Sequence, residues 1–143
     1  MKKLLTLLFI PAISLAQPGC ESVGASMETV LFDKLSKDLK IDTSRIDEYK
    51  AEVKLIDISP ISKTYATYLA KLDREESLSK NKLTLSESDY FSSYYENEVK
   101  SITAQYTYFN KDKKKAVFIA TSLMNKDECS IRFNGYITLS REF

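Results

Sequence analysis

The chain has 143 residues, of which 43% are hydrophobic and 29% charged, and its 21 Lys and Arg balance 20 Asp and Glu. This length and composition fit one globular domain that is large enough to bury a core. The sequence contains no His, which excludes His-dependent catalytic triads, His metal sites and imidazole acid–base chemistry. A formal net charge of +1 argues against a protein built mainly to bind nucleic acid.

The first sixteen residues have the pattern of a secretory signal. Lys2 and Lys3 form a positive start, the run 4–15 is almost entirely apolar, and Ala16 ends a small-residue cleavage site. The apolar run is shorter than the ~20 residues that a membrane-spanning helix requires. We therefore predict cleavage after Ala16, a single mature domain over 17–143 without a membrane span, and a periplasmic or secreted location.

Both Cys residues lie in the predicted mature chain, Cys20 near its start and Cys129 near its end. An even number of Cys in an exported chain indicates a disulfide. This bridge would close almost the whole domain into one loop, to which chain-entropy models assign about 4–5 kcal/mol of stability. Lipid modification of Cys20 is the alternative, and it would leave Cys129 as a lone thiol.

Apolar periodicity in the first half predicts two helices around one strand. The first helix spans 21–40 and the strand spans 49–58, where a shift of the apolar positions near Asp57 predicts a β-bulge. The second helix spans 62–78, and 73–76 is its solvated end. Its apolar stripe contains Ile61, Tyr65, Tyr68, Leu69 and Leu72.

A shorter helix, capped by Ser86 or Ser88, is predicted to extend to Val99. The last 45 residues then read as a three-stranded antiparallel meander. Residues of the last strand that are predicted to share one face are Ile131, Phe133, Ile137 and Leu139. Gly135 within that strand indicates a β-bulge or close helix packing.

The predicted element order is α-β-α-α-β-β-β, which defines an α+β fold. The simplest way to bury the apolar faces is to pack the N-terminal helix on a four-stranded antiparallel sheet. This layout is cystatin-like, and the two middle helices form an insertion after the first strand.

Two surfaces are candidates for binding, and no residue is assigned to catalysis, a cofactor or a metal. The first is an aromatic cluster in the short helix, formed by Tyr90, Phe91, Tyr94 and Tyr95, because Tyr is enriched in interfaces. The second is a basic patch that could attract an anion, formed by Lys111, Lys113, Lys114 and Lys115. The alternatives are a Tyr-lined edge of the core and a charged hairpin tip that keeps the sheet soluble.

Two segments, 18–23 (PGCESV) and 124–136 (MNKDECSIRFNGY), resemble small secreted proteins of Gram-negative bacteria whose role is uncertain. Some of these proteins carry the label "Shiga toxin A subunit". The A chains of that toxin family are rRNA N-glycosidases with a Glu-Ala-x-x-Arg core and a Trp in the pocket. This sequence has no Glu-Ala pair and no Trp, so the resemblance carries over no catalytic residue. In layout, the chain is also similar to the colicin M immunity protein family.

The sequence therefore predicts a non-catalytic binding protein of the inhibitor or immunity kind, with a protein or cell-envelope partner. One alternative is an enzyme or toxin fragment, which needs carboxylates and Arg converging in one cleft. Another is a carrier for a small apolar ligand, which needs a closed apolar cavity. The sequence leaves the oligomeric state open.

Overall fold

A computed structural model describes residues 19–143, and the predicted signal segment lies outside these described residues. The predicted α+β order is confirmed, with two short 3-10 turns added before the first strand. The helices and strands are α1 (Ser26–Leu39), β1 (Glu52–Pro60), α2 (Lys63–Ser79), α3 (Glu87–Tyr95), β2 (Lys100–Phe109), β3 (Lys115–Met124) and β4 (Arg132–Arg141).

The four strands form one antiparallel sheet in the order β1-β2-β3-β4. Helix α1 packs on one face of this sheet, as predicted. Alternation along β2 places one apolar set under the helix, and its members are Ile102, Ala104, Tyr106 and Tyr108. From α1, the fully buried side chains of Met27, Leu31 and Leu35 complete this main core.

Helix α1 begins at Ser26, five residues later than the sequence predicts. The preceding segment 19–25 forms turns, and Gly24 has a φ of +85°, which a helix does not allow. The predicted disulfide is confirmed, because Cys20 in this segment is bonded to Cys129 between β3 and β4. The Tyr106 hydroxyl also donates to the Glu21 carbonyl oxygen at 2.7 Å, so two long-range contacts hold the segment on the sheet.

The start of α1 has no capping side chain at Ala25, and the buried carboxylate of Glu28 supplies an acceptor. Glu28 Oε2 accepts from the N–H of Gly24 at 2.6 Å, which ties the turn before the helix to its first turn. Glu28 Oε1 accepts from the Tyr108 hydroxyl at 3.1 Å. The pKa of the Tyr108 phenol is raised by burial and by the adjacent Glu28 carboxylate, so the Tyr108 hydroxyl remains a donor.

Replacing Tyr108 by Phe is expected to lower the free energy of unfolding by about 1–2 kcal/mol, because a buried carboxylate loses one donor. Urea denaturation followed by circular dichroism measures the loss. Tyr49→Phe is the control, since this ring is fully exposed and its midpoint should be unchanged. Equal midpoints for Tyr108→Phe and the wild type would contradict a role of this hydrogen bond.

Strand β1 is an edge strand with the predicted bulge, because its register against β2 shifts between Leu55 and Asp57. The strand begins three residues later than predicted, after the 3-10 turn Glu48–Lys50. Its apolar residues Leu55, Ile56 and Ile58 remain exposed. A bulge on an edge strand twists it away from further pairing, which protects the sheet from association through this edge.

Helices α2 and α3 pack against each other and form a second core. Ser86 caps α3 as predicted and accepts from the backbone N–H of Asp89. Ser62 caps α2 in the same way and accepts from the backbone N–H of Tyr65. Helix α3 ends at Tyr95, four residues earlier than predicted. The chain then turns through two residues with positive φ, Asn97 at 59° and Glu98 at 56°, which a helix excludes.

The predicted apolar stripe of α2 is wrong in part. The buried face consists of Ala66, Leu69 and Ala70, whereas Tyr65, Tyr68 and Leu72 are exposed. Small residues allow two helices to approach closely, so the Ala side of α2 faces α3. The large aromatic residues consequently lie at the surface.

The predicted face of β4 is also wrong, because two register shifts interrupt its pairing with β3. Phe133 pairs with Ser122 on the α1 side, whereas Ile137 pairs with Ile119 on the opposite side. One shift lies beside Gly135, whose φ is +122°. The bulge predicted there is confirmed. The alternative, close packing of a helix on Gly135, is excluded, since a Cβ at this residue would meet no atom within 4 Å.

Candidate functional site

The predicted aromatic surface is divided between core and surface. Tyr94 is only 6% exposed, and its hydroxyl donates to Asp73 Oδ2 at 2.5 Å, so this residue is a core residue and not part of an exposed surface. Tyr90 and Phe91 are half-buried and pack against the second core. Tyr95 is 39% exposed and stacks on Phe91 with ring centroids 5.2 Å apart.

The predicted basic patch lies at the turn between β2 and β3. All four lysines, Lys111, Lys113, Lys114 and Lys115, are exposed. Asn110 Oδ1 accepts from the N–H groups of Asp112 and Lys114, each at 2.9 Å, and Arg45 pairs with Asp112 at 2.5 Å. The turn is therefore held in shape, and its lysines point away from the core.

A further surface, which the sequence did not predict, lies on the sheet face opposite α1. We call it the tyrosine–isoleucine surface, and it is formed by Tyr65, Tyr68, Ile119 and Ile137. Tyr65 is 41% exposed, and Tyr68 and Ile137 are each 58% exposed. The two tyrosine rings stack with centroids 6.3 Å apart and an interplanar angle of 15°. Tyr65, Ile119 and Ile137 border a depression of about 360 Å³.

The packing of α2 explains this surface. Because Ala66 and Ala70 are buried in the second core, Tyr65 falls beside the open sheet face. On that face Ile119 and Ile137 are cross-strand partners, which places their side chains together. The spacing of Ala66 and Ala70 is the one sequence signal that could have found the arrangement, since an i, i+4 pair of small residues marks a close helix contact.

A second depression, which we call the polar cleft, lies where α1, α2, α3 and β4 meet. It measures about 330 Å³. Within it, Arg132 Nε and Nη2 donate to the two carboxylate oxygens of Asp73 at 2.7 and 2.6 Å. Its lining residues are Lys34, Asp73, Glu76, Ser77, Lys80, Lys82, Tyr90, Arg132 and Phe133.

Hydrogen bonds and charges inside the polar cleft shift the pKa values of three of its side chains. Burial alone would raise the pKa of the Asp73 carboxyl, but hydrogen bonds from Arg132 and Tyr94 and the Arg132 charge outweigh burial and lower it. The hydrogen bond from Lys80, together with its charge, lowers the pKa of Glu76. Burial and the hydrogen bond to Asp73 raise the pKa of Tyr94. Both carboxylates are therefore ionised at neutral pH.

A third depression of about 480 Å³ lies beside the N-terminal half of α1. Val23, Phe32 and Tyr49 supply its apolar lining, and Glu28 forms a polar part of the wall. Within residues 19–143, no group of His, Cys, Asp and Glu side chains has the arrangement of a metal site. In the same part of the chain, none of the helices combines the length and apolar character needed to cross a membrane.

Comparison with known proteins yields no relative: no family model, no curated protein and no solved structure matches the chain. The functional argument therefore depends on the surfaces and clefts described above.

Proposed function

We propose that this chain is an exported, non-catalytic binding protein whose partner is a protein of the cell envelope. The observation that carries the proposal is the tyrosine–isoleucine surface. Tyr combines a large apolar ring with a polar hydroxyl and is enriched in protein interfaces. Here Tyr65 and Ile137 remain exposed at a depression on an open sheet face, and the exposed ring of Tyr68 stacks on Tyr65.

The chemistry of the depression favours a protein over a lipid surface. Its lining residues are all uncharged: Tyr65, Ile119, Thr121, Asn134, Gly135, Tyr136 and Ile137. Peripheral binding to anionic membranes requires Lys or Arg beside the apolar residues. An apolar side chain of a partner protein would fill the depression, while the tyrosine hydroxyls accept or donate hydrogen bonds at its rim.

The carboxyls of the polar cleft argue against one catalytic role that the alternative, an enzyme or toxin fragment, could use: general-acid catalysis. Carboxylates and an Arg do converge there, which is the arrangement that an enzyme would need. A general acid requires a raised pKa so that it holds a proton near neutral pH. The pKa of Asp73 and that of Glu76 are both lowered, so neither carboxyl holds such a proton.

Export is part of the proposal and is supported by two features. The chain begins with the signal-like segment 1–16, and the Cys20–Cys129 disulfide is typical of oxidising compartments. Related roles for small exported proteins of this layout are inhibitor and immunity proteins, which act by occupying a partner. The carrier alternative stays a prediction.

Replacing Tyr65 and Tyr68 together by Ala is expected to weaken partner binding at least about tenfold, since buried Tyr residues dominate many interfaces. The protein, isolated after export, is immobilised and incubated with envelope extract. The captured proteins are identified and purified, and each is then tested for binding on its own. Titration calorimetry then compares the wild type, the double variant and Tyr49→Ala, a fully exposed Tyr elsewhere. Equal affinity of all three proteins for every purified partner would overturn the proposal.

A further inference from the structure

The polar cleft carries an excess of positive charge. Four basic side chains line it, and Glu76 and Asp73 are its acidic residues. Asp73 pairs with Arg132, and Glu76 pairs with Lys80. Within residues 19–143, Lys34 and Lys82 form no ion pair. Both side chains are exposed, and they give the lining two more positive than negative charges. A depression with such an excess attracts anions.

The cleft also offers groups that recognise hydroxyls. Ser77 Oγ and the Tyr90 hydroxyl lie 3.0 Å apart and are hydrogen-bonded to each other. Ionised carboxylates accept hydrogen bonds from ligand hydroxyls, and Asp73 holds a fixed position because Arg132 contacts both of its oxygens. Phe133 adds an apolar side chain to the lining. Cations, hydroxyl-binding groups and a ring thus converge in one place.

We propose that the polar cleft binds a small soluble molecule that bears both a phosphate and several hydroxyls, of the size of a sugar phosphate. Lys34 and Lys82 would hold the phosphate through charge-assisted hydrogen bonds. Ser77, Tyr90 and Asp73 would contact the hydroxyls. A volume of about 330 Å³ lies at the lower end of ligand cavities, which suits a ligand with one sugar ring.

This site goes beyond the proposed function, because the polar cleft and the depression of the tyrosine–isoleucine surface share no lining residue. The two sites can therefore be tested independently. The basic turn between β2 and β3 offers a comparison, since its lysines are also exposed. It lies at the start of β3, whereas Arg132 of the cleft pairs with Leu123 near the end of β3.

The test titrates the ¹⁵N-labelled exported chain with glucose 6-phosphate, inorganic phosphate and glucose. We expect saturable shifts at the Ser77, Tyr90 and Phe133 amides, strongest for glucose 6-phosphate and weakest for glucose. Replacing Lys34 and Lys82 together by Ala should reduce the affinity about a hundredfold, or tenfold for each charge-assisted contact. Lys54→Ala with Lys100→Ala removes the same charge from exposed lysines outside the cleft lining and should leave the affinity unchanged. Lys113→Ala with Lys114→Ala tests the basic turn as the competing anion site.

Several results would overturn the proposal. The first is no saturable binding of either phosphate probe, and the second is a loss confined to the Lys113 and Lys114 variant. The third is binding to phosphatidylglycerol vesicles without binding to glucose 6-phosphate, which would assign the phosphate to a lipid headgroup.

If the variant with Ala at Lys34 and Lys82 fails to fold, the double variant Lys34→Gln with Lys82→Gln takes its place in the titration. The variant of the tyrosine–isoleucine surface should bind glucose 6-phosphate normally, which separates this proposal from the proposed function.

Discussion

Removing the Cys20–Cys129 disulfide is expected to lower the free energy of unfolding by about 2–5 kcal/mol. The two cysteines are 109 residues apart in sequence, so the bridge restricts most of the unfolded chain. Domains of this size have a total stability of roughly 5–15 kcal/mol, so this loss is a large fraction. The bridge also holds the segment before α1 against the sheet, next to the hydrogen bond from Tyr106 to Glu21.

Urea denaturation of the oxidised protein, the reduced protein and the double variant Cys20→Ser with Cys129→Ser measures this loss. The reduced protein and the double variant should unfold at the same urea midpoint, well below the midpoint of the oxidised protein. Adding the reductant to the double variant is the control and should change nothing. The bridge would be disproved by two reactive thiols in the native oxidised protein, and its energetic role by identical denaturation curves.

Local sequence patterns predicted the helices and strands well where an element buries one face against a single partner. Part of the pattern that predicted the three-stranded meander is the alternation of Ile102, Ala104, Tyr106 and Tyr108 in β2, where every second residue lies under α1. Ser86 marked the start of α3, because a hydroxyl that accepts from a backbone N–H is a local interaction. These signals need no knowledge of the rest of the chain.

The errors arise where an element has two possible partners. Helix α2 carries an aromatic stripe and a small-residue stripe, and periodicity favours the more hydrophobic stripe. Close packing with α3 instead selects Ala66 and Ala70, which leaves Tyr65 and Tyr68 exposed. Each register shift in β4 likewise changes which residues face α1, and hydrophobicity does not encode such a shift.

The polar cleft was beyond sequence reasoning for a further reason. Asp73 lies in the run 73–76, Asp-Arg-Glu-Glu. Such a run is typical of a solvated helix end, and that is the structure the sequence predicts for it. Its partner Arg132 is 59 residues away. Only the packing of α2 beside β4 joins them, and no periodic pattern within either element records that contact.

Replacing Asp73 by Ala is expected to lower the free energy of unfolding by about 3 kcal/mol, because it leaves a mostly buried Arg132 without its counter-charge. The side chains of Arg132 and Asp73 are 16% and 17% exposed, and Tyr94 would also lose its acceptor. Replacing both residues, with Asp73→Leu and Arg132→Met, should recover most of the loss, since no buried charge remains unpaired.

Urea denaturation of Asp73→Leu, of Arg132→Met and of their double variant completes a thermodynamic cycle, and Asp73→Ala is measured beside them. The matched control is Asp33→Ala, which removes the carboxylate from an exposed pair with Lys37, whose side chains are 56% and 69% exposed. This change should cost about 0.5 kcal/mol or less. A cost for Asp73→Ala as small as that of Asp33→Ala would contradict the importance of the buried pair.

The pH dependence of this stability has a defined sign. The pKa of Asp73 is lowered in the folded protein, whereas an unfolded Asp titrates at about 3.9. The folded state therefore binds this proton more weakly, so the ion pair contributes fully above about pH 4–5 and is lost as pH falls through the folded pKa. The stability difference between the wild type and Asp73→Asn should be constant from about pH 7 to 5 and shrink below about pH 4. If the stability difference grows on acidification instead, burial and not Arg132 determines the direction in which the pKa of the Asp73 carboxyl is shifted.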